Sequence, residues 1–219
     1  MPVSALPAEL SQSLATSLKL LLILTVLTIL PTIIIAMTSF TRIVIILALL
    51  RQAIGTPTTP PAIVIVTLSL ILTGFIMRPT LEELNRVALQ PYIAKEINEI
   101  EFLQRGIKPF QKFMLKNTRK KDLKFFLELA KVKVSSPEEI PLTVLIPAFL
   151  VSELTVAFQI VFVVYLPFLL VDIIVASILM SLGMMMLPPV MVSLPIKILL
   201  FIAVDGWELL IGSIVRSYH

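Results

Sequence analysis

Apolar residues fill the chain in two long blocks, residues 18–77 and 141–219, separated by a stretch from Arg78 to Ile140 in which charged residues recur every few positions. In the first block the run from Leu18 to Leu50 is interrupted only by Lys19, Pro31, scattered threonines, the polar group Thr38, Ser39 and Thr41, and Arg42. The turn-rich segment RQAIGTPTTPP follows, with Gly55, Pro57, Pro60 and Pro61, and a second apolar run covers Ala62 to Met77. This pattern predicts a helical hairpin. Its return helix, at a rise of about 1.5 Å per residue, reaches roughly 24 Å and falls short of a roughly 30 Å hydrocarbon core. Such a helix is expected to be shielded partly by protein.

The polar middle reads as two or three amphipathic helices. Thr80 and Glu83 have the spacing of a capping box, and Leu81, Leu84, Val87 and Ala88 recur at helical intervals. Phe110, Phe113 and Met114, then Leu123, Phe126, Leu127 and Ala130, repeat the pattern, while Gly106, Pro109 and the turn VSSPEE are expected to divide the helices. A small solvated domain accounts for this segment; contact of KNTRKKDLK with lipid headgroups is the alternative.

In the last block, helices are predicted near Leu142 to Tyr165, Phe168 to Leu182 and Val190 to Arg216. Between the second and third lies SILMSLGMMMLPPVMVSLP, which places Met184, Met185 and Met186 between a glycine and a double proline. Glu153, Asp172, Lys197, Asp205 and Glu208 sit in or beside apolar runs, where an ionisable group needs a partner or water. They suit pairs between helices or subunits. A proton or ion relay through Glu153, Asp172 and Asp205 is the competing reading. No glycine-aspartate motif of an intramembrane protease surrounds Asp172 or Asp205.

Composition narrows the class. At 58% hydrophobic, 15% charged and a mean hydropathy of +1.01, the chain is more apolar than soluble domains, which run about 45–50% apolar and about 25% charged. It is membrane-associated material. The net charge of +4 does not mark a nucleic-acid binder, because 13 of the 18 basic residues share the 78–140 segment with 9 of the 14 acids. There is no cysteine, and the single histidine is His219. No thiolate or histidine chemistry, cofactor or metal site is therefore expected. The N-terminal MPVSALPAELSQSLATSLK lacks a basic start and a clean cleavage site, so no secretory leader is evident.

The stretches TSFTRIVIILALLRQAIGTPTTPP, PAFLVSELTVAFQI, LPFLLVDIIVASILMSLGMMMLPP, SLPIKILLF and DGWELL together resemble the FliP/SctR family of type III secretion export-gate proteins, in particular its flagellar branch. The resemblance covers both apolar blocks in order; the polar middle contributes by position and length. Val161 stands where the family usually has glycine, which puts close helix contact at that point in question.

The resemblance implies a non-enzymatic core component of the flagellar export gate, through which unfolded substrates pass. It implies assembly in several copies, as a pentamer, with FliQ and FliR, and with FlhB and FlhA nearby. The expected location is the bacterial inner membrane and flagellar basal body, with the hydrophilic segment periplasmic. Met184, Met185 and Met186 match a methionine gasket around the pore; Gly183 would release the preceding helix, and Pro188 and Pro189 would prevent its continuation. Unbranched, polarizable methionine suits a ring that seals and yet moulds around varied polypeptides. Core filling is the alternative role for the triplet. Arg42, Arg51, Glu153, Gln159, Asp172, Lys197, Asp205, Trp207 and Glu208 are expected to make contacts between subunits or helices.

The expected fold is thus all-α. Membrane-associated helical hairpins at 1–77 and 141–219 flank a helical hydrophilic insert at 78–140, and copies build a helical multi-subunit pore. A proton-coupled or secondary transporter is the alternative; no internal repeat relates the TSFTR and GMMMLPP hairpins, as such a carrier would favour.

Overall fold

The computed structural model describes residues 8–218 apart from 135 and 185, and among these the regular structure is helical, with no strand. Contacts divide the chain into two units, Met1–Ala36 and Met37–His219. The first unit carries α1 (Ala8–Ala36), whose segment Thr16–Ala36 is long and apolar enough to cross a membrane. Pro31 lies within it without ending it.

The second unit is built around α2 (Phe40–Ile54). Its buried residues Arg42, Ile43, Ile46, Leu47, Leu50, Ala53 and Ile54 follow the three-and-four spacing of one helix face. That face packs on α3 (Ala62–Leu84), α7 (Leu142–Ser181) and α8 (Pro189–Ala203). Gly55 ends α2 in the left-handed region at φ 95°. Its N–H donates to the Gln52 carbonyl at 3.0 Å and the Thr56 N–H to the Arg51 carbonyl at 3.1 Å, the paired bonds of a Schellman stop.

Several helix limits differ from those the pattern predicts. The helix beginning at Ala62 does not stop at Met77: α3 continues through Arg78 and Pro79 to Leu84, then passes through a wide turn at Asn85–Leu89 into the short α4 (Gln90–Ile93). Polarity changes at Arg78, but helix-forming residues do not cease there, and Arg78 pairs one turn on with Glu82 at 2.8 Å. Thr80 is consequently mid-helix and buried, so it cannot serve as a cap. The capping box belongs to α5 (Glu99–Asn117), where Asn98 Oδ1 accepts from the Glu101 N–H at 2.9 Å and Glu101 Oε2 from the Asn98 N–H at 3.4 Å.

Gly106 and Pro109 likewise lie inside α5. Gly106 allows a close approach: a Cβ there would stand 3.3 Å from Leu84 Cδ1 and 3.8 Å from the Ala88 Cβ. The predicted break between Tyr165 and Phe168 is absent too, since α7 runs 40 residues with Pro147 and Pro167 inside. One missing hydrogen bond does not end so long a run, and proline is tolerated in membrane-type helices for that reason. Conversely, Val190 to Arg216 is two helices, α8 and α9 (Gly206–Arg216), bent by 64°. The corner is Asp205 at φ 52° followed by Gly206, whose missing side chain leaves room for the Phe201 ring; a Cβ would lie 2.3 Å from it.

Two apolar clusters hold the unit. One joins α2, α3, α7, α8 and α9 through Ile43, Leu47, Ile65, Ala157, Phe201 and Ile214. Val161 belongs to it and is buried, so valine sustains close helix packing at that point. The other gathers Met37, Met114, Ile140, Val144, Leu145 and Phe149, with Phe110, Leu123 and Phe126 against them. It seats α5 and α6 (Lys120–Leu129) on the first turns of α7.

Candidate functional site

α7 ends in the same manner as α2. Gly183, at φ 73°, donates its N–H to the Met180 carbonyl at 3.1 Å, and the Met184 N–H donates to the Leu179 carbonyl at 2.9 Å. This fixes the direction in which the loop leaves the helix. Pro188 and Pro189 then open α8, as N-cap and first helical residue; proline's preset φ and missing N–H suit that position. Their role is thus to start the next helix as well as to stop the last. Met184 is partly exposed, and Met186, at 98% exposure, has nothing of its own chain around it. Met185 lies outside the described residues. Met184 joins Ala176, Leu179, Met180, Leu187 and Pro189 around a shallow apolar concavity at the hairpin tip. Met186 therefore fills no core in this chain.

Below the tip, α7 and α8 are tied by an ion pair. Lys197 Nζ lies 2.6 Å from Asp172 Oδ2 and donates at 3.3 Å to the Ala53 carbonyl, near the C-terminal end of α2. Ser193 Oγ donates to Asp172 Oδ1 at 2.5 Å. A lysine aimed at helix-terminal carbonyls also complements the helix dipole. Lys197 is buried and Asp172 partly open.

The second charge cluster is buried. Arg42 is paired through Nη2 with Glu153 Oε1, and the Tyr218 hydroxyl donates to Glu153 Oε2. Arg42 Nη1 donates to the Ser217 carbonyl at 3.1 Å and to Ser217 Oγ at 2.8 Å, while its guanidinium carbon sits 3.8 Å above the Tyr218 ring. Phe113 stacks on the far side of Tyr218, with ring centres 5.8 Å apart. Burial, and then the adjacent Glu153 charge, push the Tyr218 hydroxyl above its ordinary range, so it remains a donor.

The structure thus pairs four of the residues singled out in sequence, Arg42 with Glu153 and Asp172 with Lys197. Arg51 instead steadies its own turn, donating through Nη1 to the Pro60 carbonyl at 3.1 Å. Gln159 and Glu208 are exposed. Asp205 is exposed at the α8–α9 corner, and Trp207 meets Phe201 edge-on with centres 5.4 Å apart. Among the described residues neither Asp205 nor Glu208 is in an ion pair. Glu153 and Asp172 stand nineteen positions apart on one helix, about 28 Å by helical rise. Each of these two has its own cation.

Sequence reasoning missed Ser193, Ser217 and Tyr218. Ser193 was detectable, because it lies one turn before Lys197 on the same face. Nothing in sequence distinguished Tyr218, since residues near a chain end are usually poorly tied down.

A family model described as the FliP family matches residues 23–214. The chain is 56% identical over 210 residues to flagellar biosynthetic protein FliP of Aquifex aeolicus (strain VF5), covering 94% of this chain and 88% of the relative. It is 50% identical over 208 residues to the protein of that name from Bacillus subtilis (strain 168), covering 94% of each. Likeness to the FliP of Pectobacterium carotovorum subsp. carotovorum is 49% over 209 residues, 95% of this chain and 81% of the relative.

Proposed function

The chain belongs to the FliP family, and from that premise we propose that it is a pore-forming core component of the flagellar type III export gate. Flagellar biosynthesis through protein export is its field of action, and its long apolar helices associate it with a membrane. In our reading several copies, as a pentamer, surround an axis together with FliQ and FliR, near FlhB and FlhA. Met184, Met185 and Met186 project toward that axis and close around a passing unfolded polypeptide. The inner membrane and the basal body are the site of action, and residues 78–140 face the periplasm. The chain itself is not an enzyme in this reading; other components supply the energy.

The observation that carries the proposal is Met186. A side chain of that size is left 98% exposed on a turn held by two backbone bonds and bounded by Pro188 and Pro189. Non-helical backbone beside apolar helices is tolerated where protein buries it or where it borders water, and a pore rim supplies both. Asp205, Trp207 and Glu208, exposed on the turn into α9, offer contacts for neighbouring subunits.

The test is the variant with Met184, Met185 and Met186 all changed to alanine, with membrane conductance and complex yield measured together. Normal yield with raised leakage of small ions is the expected result. Tight membranes with lost complex would instead make the methionines packing residues, and the gasket would be wrong.

A further inference from the structure

α8 touches the rest of its unit along one line. Its buried residues, among those described, are Ser193, Lys197 and Phe201, whose spacing of four puts them on one face. Val190, Met191, Ile196, Leu199 and Ile202 on its other faces are exposed. The three buried contacts differ in reach. Phe201, at the end away from the methionine loop, meets Phe168 of α7 with ring centres 6.3 Å apart. An apolar contact of this kind has no direction and survives a small slide of one helix on the other. Lys197 holds Asp172 from the end of a flexible four-carbon stem, so its ammonium follows a displaced carboxylate. Ser193 lacks both freedoms. Its hydroxyl stands one bond beyond Cβ, is fully buried and donates to Asp172 Oδ1 at 2.5 Å, so it reaches that oxygen at one setting of α8 against α7.

Ser193 is also the nearest of the three to the loop, seven positions after Met186. Beyond it, Met184, Leu187 and Pro189 meet Ala176, Leu179 and Met180 around the apolar concavity at the tip, again without a directional bond. A displaced α8 would carry the loop with it, because Pro188 and Pro189 have fixed φ and absorb little of the motion. Such a displacement leaves no orphaned donor: Ser193 Oγ also lies 3.2 Å from the Val190 carbonyl and can give its proton there. A hydrogen bond to an ionised carboxylate is the stronger of the two, and that difference selects the seated setting.

We infer that Ser193 is a positioning residue for the methionine loop, setting the height of its side chains relative to α7 through the bond to Asp172. The inference rests on the gasket reading of that loop and names the side chain that keeps the gasket in register.

The test uses the full chain assembled with its export-gate partners, with membrane conductance to small ions and complex yield measured together. Ser193→Ala removes the hydroxyl and leaves the pair of Asp172 with Lys197. It should raise leakage on the order of tenfold at normal yield, the bias that one hydrogen bond to a charged group gives a two-state equilibrium. Ser193→Thr, which keeps the hydroxyl, should restore a tight membrane. Added to the variant with Met184, Met185 and Met186 all changed to alanine, Ser193→Ala should raise leakage no further, because it acts through those side chains. A tight membrane with Ser193→Ala beside a leaky triple alanine variant would overturn the positioning role and leave the gasket standing. Additive leakage, equal leakage in the threonine and alanine variants, or loss of complex with Ser193→Ala would overturn it as well. A tight triple alanine variant would remove the gasket reading, and this role with it.

Discussion

The two halves of α7 solve opposite problems with one continuous helix. Its first sixteen residues pack one face against α2, α5 and α6, and there the chain buries Glu153 completely and supplies both of its partners, Arg42 and Tyr218. Beyond Ala157 most side chains on the outer faces are large, apolar and exposed, and the helix ends at a loop whose Met186 touches almost nothing. The first half satisfies its buried charge within the chain. The second has packing partners on one side only, through Val161, Phe168 and Val175, and leaves the rest to lipid or neighbouring subunits. The contrast teaches that a polar sheath, and not the helix's own composition, decides where it is protein-packed.

The largest effect should come from breaking the first half. Arg42→Met leaves Glu153 buried without its cation and is expected to cost about 3–5 kcal/mol, the range for uncoupling a buried pair. Thermal denaturation of the detergent-solubilised protein would show it as a clearly lowered midpoint; an unchanged midpoint would mean that water reaches Glu153 and the core is not closed. Replacing Arg42 and Glu153 together by apolar residues should recover much of the loss.

A smaller loss is expected at the one tight corner near the bare half. Gly206→Ala drives a methyl into the Phe201 ring at 2.3 Å and forces a shift worth about 1–3 kcal/mol. The same measurement, supported by loss of Trp207 fluorescence anisotropy as its edge contact with Phe201 loosens, would follow it. Asn98→Ala, which removes the α5 capping box from the sheath, should cost about 1 kcal/mol, with local amide exchange in Glu99 to Phe102 rising before global stability falls. Smallest of all, Met186→Ala should leave the thermal midpoint where it is, because the side chain makes no packing contact within the subunit. A marked drop would show that the loop is part of a core, and would erase the distinction between the halves.

Some of this organisation is legible residue by residue. The two apolar blocks and the helical class follow from local facts, hydropathy runs and helical spacing. Arg42, Glu153, Asp172 and Lys197 are conspicuous for the same reason, as charges in apolar surroundings. Helix ends were harder to read. Thr80 with Glu83 has the spacing of a cap and Asn98 with Glu101 has it equally, yet only the second lies where the backbone leaves helical geometry. Pro147, Pro167 and Pro109 are all carried inside helices, because neighbouring elements make continuation more favourable than a break.

What sequence alone determined was therefore the inventory: which segments must leave water and which charges must find partners. Pairing was decided by tertiary structure. Arg42 and Glu153 are separated by 111 positions and Ser217 lies a further 64 along, so no local pattern relates them. They meet because α2, α7 and the residues after α9 pack against one core, and burial then makes each unpaired charge more costly than ordering its neighbours. Tyr218 shows this most directly: its chemistry is common, its place near a chain end is unremarkable, and only the packed surroundings of Arg42, Phe113 and Glu153 make it a structural residue.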